Sequence, residues 1–206
     1  MYQRALIGRE KALGPENTST LGIVNNLGIL YVAQGKLERA AEMYQRALSG
    51  REKTLGPEYP PTLSIVNNIG NLFRMQGKLE PAEQMYQRAL LGREKALGLE
   101  HTFTLGTVNN LGNLYKDQGK LEKAEEMYQR ALTGREKVLG LEHMFTLNTV
   151  GNLGLLYKDQ GRLKKAQEMY QRALAGFKKI LGSDHNKTRW VRGKLDELNM
   201  QIERDE

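Results

Sequence analysis

No cysteine occurs among the 206 residues, which excludes a disulfide framework and a Cys-ligated zinc site. Long apolar runs are missing too. Nothing approaches the roughly 18 consecutive apolar residues of a membrane-spanning helix, so no membrane partner is expected. The opening stretch MYQRALIGREKALG lacks the apolar segment of a secretory signal. The sequons at Asn17 and Asn186 are therefore expected to stay unmodified, and the chain is expected to be cytoplasmic, whole or as a piece of a larger protein. Histidine is scarce: His101, His143 and His185 stand one per repeat at the same register. Spread along an array they cannot converge on a metal, and each is expected to pack against or cap the helix that follows. The pairs Gly77-Lys78 and Gly119-Lys120 lack the glycine spacing, the Ser/Thr and the preceding strand of a phosphate loop. With no cluster of nucleophile, base or ligand residues, neither an enzyme nor a cofactor is expected.

The formal charge is +7, but much of the excess comes from Arg51/Lys53, Arg93/Lys95 and Arg135/Lys137, each pair bracketing a Glu. Cations there are expected to complement a helix C-terminal dipole and to pair with the intervening and preceding carboxylates. No basic cluster is interleaved with exposed aromatics, so nucleic acid is not an expected partner.

Repetition is what the sequence has in abundance. The hexapeptide MYQRAL begins at Met1, Met43, Met85, Met127 and Met169, always 42 residues apart. A period of this size marks an array of one supersecondary unit, whose members bury their apolar faces only by stacking. Within one unit, Leu21, Ile23, Val24, Leu27, Leu30 and Tyr31 follow helical spacing over a wide arc, as in a helix held between two neighbours. Gly35 suits the left-handed position just past a helix end. A second helix from Lys36 to about Leu55 carries Leu37, Ala40, Met43, Tyr44, Ala47 and Leu48 on one face and stops at Gly56. The Met column lies beside the Tyr and is expected in the core.

These residues resemble the tetratricopeptide repeat. Leu27-Gly28, Tyr31, Ala40, Tyr44 and Ala47 match its spacing, and so do Ile69-Gly70, Phe73, Ala82, Tyr86 and Ala89. Leu111-Gly112, Tyr115, Ala124, Tyr128 and Ala131 repeat the match, as do Leu153-Gly154, Tyr157, Ala166, Tyr170 and Ala173. Val24, Val66, Val108 and Val150 replace the usual Trp, and the period is 42 against about 34 in the common form. Both departures, with AlaLeu-x-GlyArgGluLys-x-LeuGly and AsnAsnLeuGly-x-LeuTyr, resemble repeats of the kinesin light chain type. They are also similar to the C-terminal sensor arrays of NLR-like proteins. The resemblance implies an all-α, right-handed superhelical solenoid of helix-turn-helix repeats. The expected single repeat domain comprises a half repeat at 1–13, hairpins at 18–55, 60–97, 102–139 and 144–181, and a capping helix at 186–204. In that last segment Val191, Leu195, Leu198 and Ile202 form one narrow apolar stripe, while Asp196 stands where the other units have Gly.

For function, the resemblance implies a concave groove that holds an extended peptide or protein segment, lined by one side of the first helices. The residues on that side are Asn25, Asn26, Asn67, Asn68, Asn109, Asn110 and Asn152, with Asn71 and Asn113 one turn later. Asn is a poor helix former, so its mid-helix repetition calls for a cause. A side-chain amide can bracket the donor and acceptor of a peptide backbone, which makes these Asn candidate binding residues, expected to face solvent. The alternative is that they bridge adjacent first helices by bonds to one another. Arg74, Lys116 and Lys158 form a basic column beside Asp117 and Asp159; it either favours a ligand carrying carboxylates or caps the helix dipoles. A second reading is self-assembly, since residues 1–13 would present Tyr2, Ala5 and Leu6 without a first helix of their own. A third is a consensus-like array with no dedicated ligand.

Overall fold

Capping chemistry sets where each helix begins and ends. The computed structural model describes residues 2–205, with side chains from 4 to 204; among these are ten α-helices and no strand. Asn17 caps the first full helix, its side chain accepting from the Ser19 N–H. His101, His143 and His185 occupy the same register and accept through Nδ1 from the N–H of Phe103, Phe145 and Lys187, so the three histidines are N-caps. First helices end in a Schellman turn: Gly35 sits at φ +71°, the Lys36 N–H bonds the Tyr31 carbonyl, and the Gly35 N–H bonds that of Val32.

The chain divides into two compact units between Leu99 and Glu100. The first holds α1 (Tyr2–Leu13), α2 (Thr18–Ala33), α3 (Leu37–Leu55), α4 (Pro60–Met75) and α5 (Leu79–Leu97). The second holds α6 (Thr102–Asp117), α7 (Leu121–Leu139), α8 (Met144–Asp159), α9 (Leu163–Leu181) and α10 (Asn186–Asp205). In each unit every helix packs on the next in sequence, and the first helices of consecutive hairpins, α2 with α4 and α6 with α8, also touch.

A glycine column on the first helices lets the hairpins close. A methyl group on Gly28, Gly70, Gly112 or Gly154 would stand 2.5–2.7 Å from the ring of Tyr44, Tyr86, Tyr128 or Tyr170. The Tyr of each second helix therefore lies flat on the backbone of its own first helix. Val24, Tyr44, Leu48, Ile65, Val66 and Leu72 make the core of the first unit, with Leu6, Met43 and Met85 packed against it. Tyr128, Leu147, Val150, Leu153, Tyr170 and Phe177 make that of the second, where α10 adds Val191, Leu195 and Leu198. On α1, Ala5 is exposed and Leu6 half-buried; the side chain of Tyr2 lies outside the described residues.

The Arg-Glu-Lys clusters behave differently from expectation. Their Glu pair with the second helix of the neighbouring hairpin and their Lys with the loop leading into their own hairpin, not within their own helix. Glu10 meets Arg46, Glu52 meets Arg88 and Glu136 meets Arg172, each at 2.5 Å. Lys95, Lys137 and Lys179 reach back to Glu58, Glu100 and Glu142 at 2.6–2.7 Å. Their Arg are not dipole-capping surface cations: Arg93 and Arg135 are only 4 % and 7 % exposed, and Arg135 points into the seam between α6 and α8. The fourth copy places Phe177 at that position, also buried.

Candidate functional site

The Asn columns lie where two first helices meet. In the second unit, Asn152 Nδ2 on α8 donates to Asn109 Oδ1 at 3.4 Å and to Asn113 Oδ1 at 3.3 Å, both on α6. Arg135 enters the same seam from α7. Its Nη1 donates to Thr149 Oγ1 at 2.6 Å, to the Phe145 carbonyl at 2.9 Å and to Asn109 Oδ1 at 3.4 Å, and its guanidinium lies over the Phe145 ring. The one hydroxyl proton of Thr149 can serve Asn109 Oδ1 or the Phe145 carbonyl, each 3.1 Å away. All these partners are neutral, and burial pulls the Arg135 pKa down to about 10. Arg93 in the first unit is lowered to about 10 for the same reason, and its Nη2 donates to Ser64 Oγ at 3.0 Å.

The same rung recurs in the first unit, where Asn68 Nδ2 on α4 donates to Asn25 Oδ1 on α2 at 3.1 Å. Asn71 and Asn113 have a further task. Their Oδ1 accepts from the hydroxyl of Tyr86 at 2.6 Å and of Tyr128 at 2.7 Å, satisfying a phenol that the packing buries. Where the first and fourth hairpins carry Ile29 and Leu155, that acceptor is missing. The Tyr170 hydroxyl is consequently buried without a partner, and burial, with Asp159 and Glu197 adding to it, pushes its pKa well up.

Sequence-predicted site residues thus separate into two groups. Asn67 and Asn109 are 9 % and 8 % exposed, so they do not face solvent, contrary to expectation; Asn109 is enclosed where α8 comes against α6. Asn26 is exposed, and Asn25, Asn68, Asn71, Asn110, Asn113 and Asn152 are half-buried. In the basic column, Lys116 lies 3.7 Å from Asp159 and 3.9 Å from Asp117, while Lys158 lies 3.7 Å from Glu197 on α10. Arg74 is half-buried at the end of α4. Sequence reasoning missed the buried Arg and the Tyr–Asn bond. Both had a signal: Arg51, Arg93 and Arg135 align with Phe177, and Asn71 and Asn113 align with apolar Ile29 and Leu155.

Among the described residues no group of three or more His, Asp or Glu comes together as a metal site, and no helix is long and apolar enough to cross a membrane. The Tetratricopeptide repeat family model matches residues 1–53, 20–95, 103–179 and 151–195. No curated protein matches the chain. Among solved structures, the chain is similar to BtubC (BKLC) from P. vanneervenii, with 20 % identity and a TM-score of 0.76 over 98 % of this chain and 89 % of that one. It is also similar to nearly identical TPR-like repeats ascribed to a kinesin light chain from Podosopora anserina. For a single-residue variant of those repeats the identity is 24 % and the TM-score 0.68, over 86 % of this chain and 84 % of that one. A second structure of them gives 23 % and 0.66, over 87 % and 85 %. By its family match and its kinesin light chain-like fold, the chain belongs to the tetratricopeptide repeat family, whose repeats mediate protein–protein interaction.

Proposed function

We propose that the chain binds an extended peptide or protein segment along the exposed edge of its first helices, as the recognition part of a larger cytoplasmic protein. The observation that supports this is the unused hydrogen-bonding capacity of the Asn amides. Asn26 has no partner among the described residues. Asn68 spends Nδ2 on Asn25 and keeps Oδ1; Asn152 spends Nδ2 and keeps Oδ1; Asn71 and Asn113 spend Oδ1 and keep Nδ2. An amide tied down at one end is already oriented, so its free end bonds a ligand backbone with little further loss of rotamer freedom. Lys116 and Lys158 already face carboxylates, and an acidic ligand would have to displace those pairs. Backbone recognition is therefore favoured over carboxylate recognition.

The test is a peptide selected on the intact chain and titrated calorimetrically. Asn26→Ala and Asn68→Ala should weaken it by about 1–2 kcal/mol each. Asn26→Ala should leave the melting temperature unchanged or slightly raised, since Ala is the better helix former. Asn109→Ala should lower stability by about 1–3 kcal/mol, because it strips the seam of a shared acceptor. A selected peptide indifferent to Asn26 and Asn68 would overturn the reading, and failure to select any would favour an array without a dedicated ligand. One observation favours the second reading, self-assembly: Ile7 on α1 is 55 % exposed, with Leu13 also exposed. Light scattering should then show a concentration-dependent mass that Ile7→Glu abolishes; a monomer at all concentrations rejects it.

A further inference from the structure

Each step from a second helix to the next first helix in the second unit is closed by a polar bridge. Between α7 and α8, Gln129 Nε2 donates to the Tyr157 hydroxyl at 2.8 Å. Glu125 accepts from Arg162 Nη1 at 2.6 Å and from Gln160 Nε2 at 3.2 Å, and the Arg162 guanidinium lies 4.5 Å over the Tyr157 ring. Between α9 and α10, Gln167 Nε2 donates to Asn199 Oδ1 at 2.8 Å.

The corresponding step in the first unit, α3 to α4, keeps the cation over the ring, with Lys78 Nζ 5.9 Å from the Phe73 centroid, but has lost the hydrogen-bonded closure. Ala41 stands where Glu125 does, Phe73 where Tyr157 does and Lys78 where Arg162 does. Neither Ala41 nor Phe73 has a side-chain hydrogen-bonding group, so no equivalent bridge can form. A cavity of about 390 Å³ opens there, lined by Ala41, Glu42, Gln45, Ile69, Leu72 and Phe73. Ile69 and Leu72 are buried and form an apolar floor; Glu42 and Gln45 are exposed. Glu38 is exposed one turn before Glu42, on the same side of α3 by helical spacing. Neither carboxylate has a partner among the described residues. The volume is near the low end of the roughly 300–1,000 Å³ of ligand sites, which suits one large side chain.

We infer that this notch is a second docking site, taking one aromatic or branched aliphatic side chain of a partner peptide whose neighbouring Lys or Arg faces Glu38 and Glu42. The apolar floor supplies affinity by desolvation. The two uncommitted carboxylates supply charge selectivity. The first-helix amides take no part, so this site stands or falls independently of the reading above.

The experiment titrates the intact, methyl-labelled chain with acetyl-Phe-Lys-amide, acetyl-Phe-Glu-amide and acetyl-Ala-Lys-amide, read by NMR. Acetyl-Phe-Lys-amide should shift the Ala41, Ile69 and Leu72 methyl signals saturably, and acetyl-Phe-Glu-amide should bind severalfold more weakly. Acetyl-Ala-Lys-amide should give no saturable shift. The double variant Ala41→Glu/Phe73→Tyr, which installs the residues of the second unit, should weaken acetyl-Phe-Lys-amide at least about tenfold. Ala41→Met, which only fills the space, should do the same and serves if the double variant does not fold. Glu38→Gln/Glu42→Gln should remove the preference for Lys over Glu while keeping the response to Phe. No saturable shift at these methyls overturns the inference, as does equal binding by wild type and Ala41→Met. Self-association of the wild type in sedimentation velocity, abolished by Ala41→Met, would make a second copy the occupant and overturn it equally.

Discussion

Tyr170 is a phenol whose buried hydroxyl finds no acceptor, while Tyr86 and Tyr128, in the same setting, bond Asn71 and Asn113. Leu155→Asn supplies the missing acceptor and should stabilise the protein by about 1 kcal/mol, whereas Asn113→Leu should cost about 1–3 kcal/mol. Urea unfolding checks both. The buried phenols also set an alkaline limit. Burial raises the pKa of Tyr44 from 10.0 to about 12 and that of Tyr170 further. The unfolded chain therefore releases these protons first, and their contribution, intact below about pH 10, is lost as pH rises through the folded-state values. Tyr44→Phe and Tyr170→Phe should each flatten the loss of stability between pH 10 and 12. Arg135 yields a third residue-level expectation. In Arg135→Met, Asn109 Oδ1 keeps Asn152 as a donor, and the single Thr149 hydroxyl proton is left to the Phe145 carbonyl. No acceptor is orphaned and a buried charge disappears, so stability should hold or rise by about 1 kcal/mol. A loss above 2 kcal/mol would mean that the guanidinium holds the seam together.

Helix ends and helix contacts carry the next set of consequences. Tyr59 occupies the cap of α4 with extended backbone at φ −67°, ψ 134°, yet gives no side-chain bond, while Asn17, His101 and His143 at that register do. Tyr59→Asn should therefore stabilise α4 by about 1 kcal/mol, read as a rise in melting temperature. The reverse holds where first and second helices touch. Gly112→Ala should gain up to about 1 kcal/mol in helix propensity. It nonetheless sets a methyl 2.6 Å from the Tyr128 ring, and crowding of that kind costs roughly 1–3 kcal/mol. Net destabilisation in denaturant titration is the expected outcome. An increase in stability would mean that the Tyr ring is free to retreat.

Across the whole molecule the ion pairs recur with the period of the hairpins. Arg46, Arg88 and Arg172 meet Glu10, Glu52 and Glu136, and all six side chains are about a third exposed. Pairs at that depth contribute about 0–1 kcal/mol each and are screened by salt. Raising NaCl from 20 mM to 500 mM should therefore lower the melting temperature by only a few degrees; collapse of the fold in salt would overturn this. The ladder acts chiefly on register, because a hairpin docked one turn away would lose all its pairs together. The two units also differ on their first-helix edges. The first has exposed Ile29 and Met75 where the second has half-buried Asn113 and exposed Asp117, so near-identical repeats present unlike surfaces.

The 42-residue period, the two-helix unit and the apolar stripe of α10 were legible in the sequence because they follow from local spacing. Val24, Leu27, Tyr44 and Ala47 are core residues in any stacking that buries that stripe. The His at residues 101, 143 and 185 were legible as residues that pack against or cap the following helix, because a cap and the helix it closes are neighbours in the chain; the structure makes them caps. Contacts between copies were decided only by the tertiary structure. Asn109 and Asn152 lie 43 residues apart, and Arg135 bonds Thr149 and Asn109 on two different helices. Periodicity gives each of these residues a direction relative to its own helix axis and says nothing of the distance to the next helix. The packing of α8 against α6, with Arg135 of α7 between them, converts Asn109 and Arg135 from surface residues into a buried seam. The notch beside Ala41 and Phe73 is left open, and only the neighbouring helix reveals that a polar bridge is missing there.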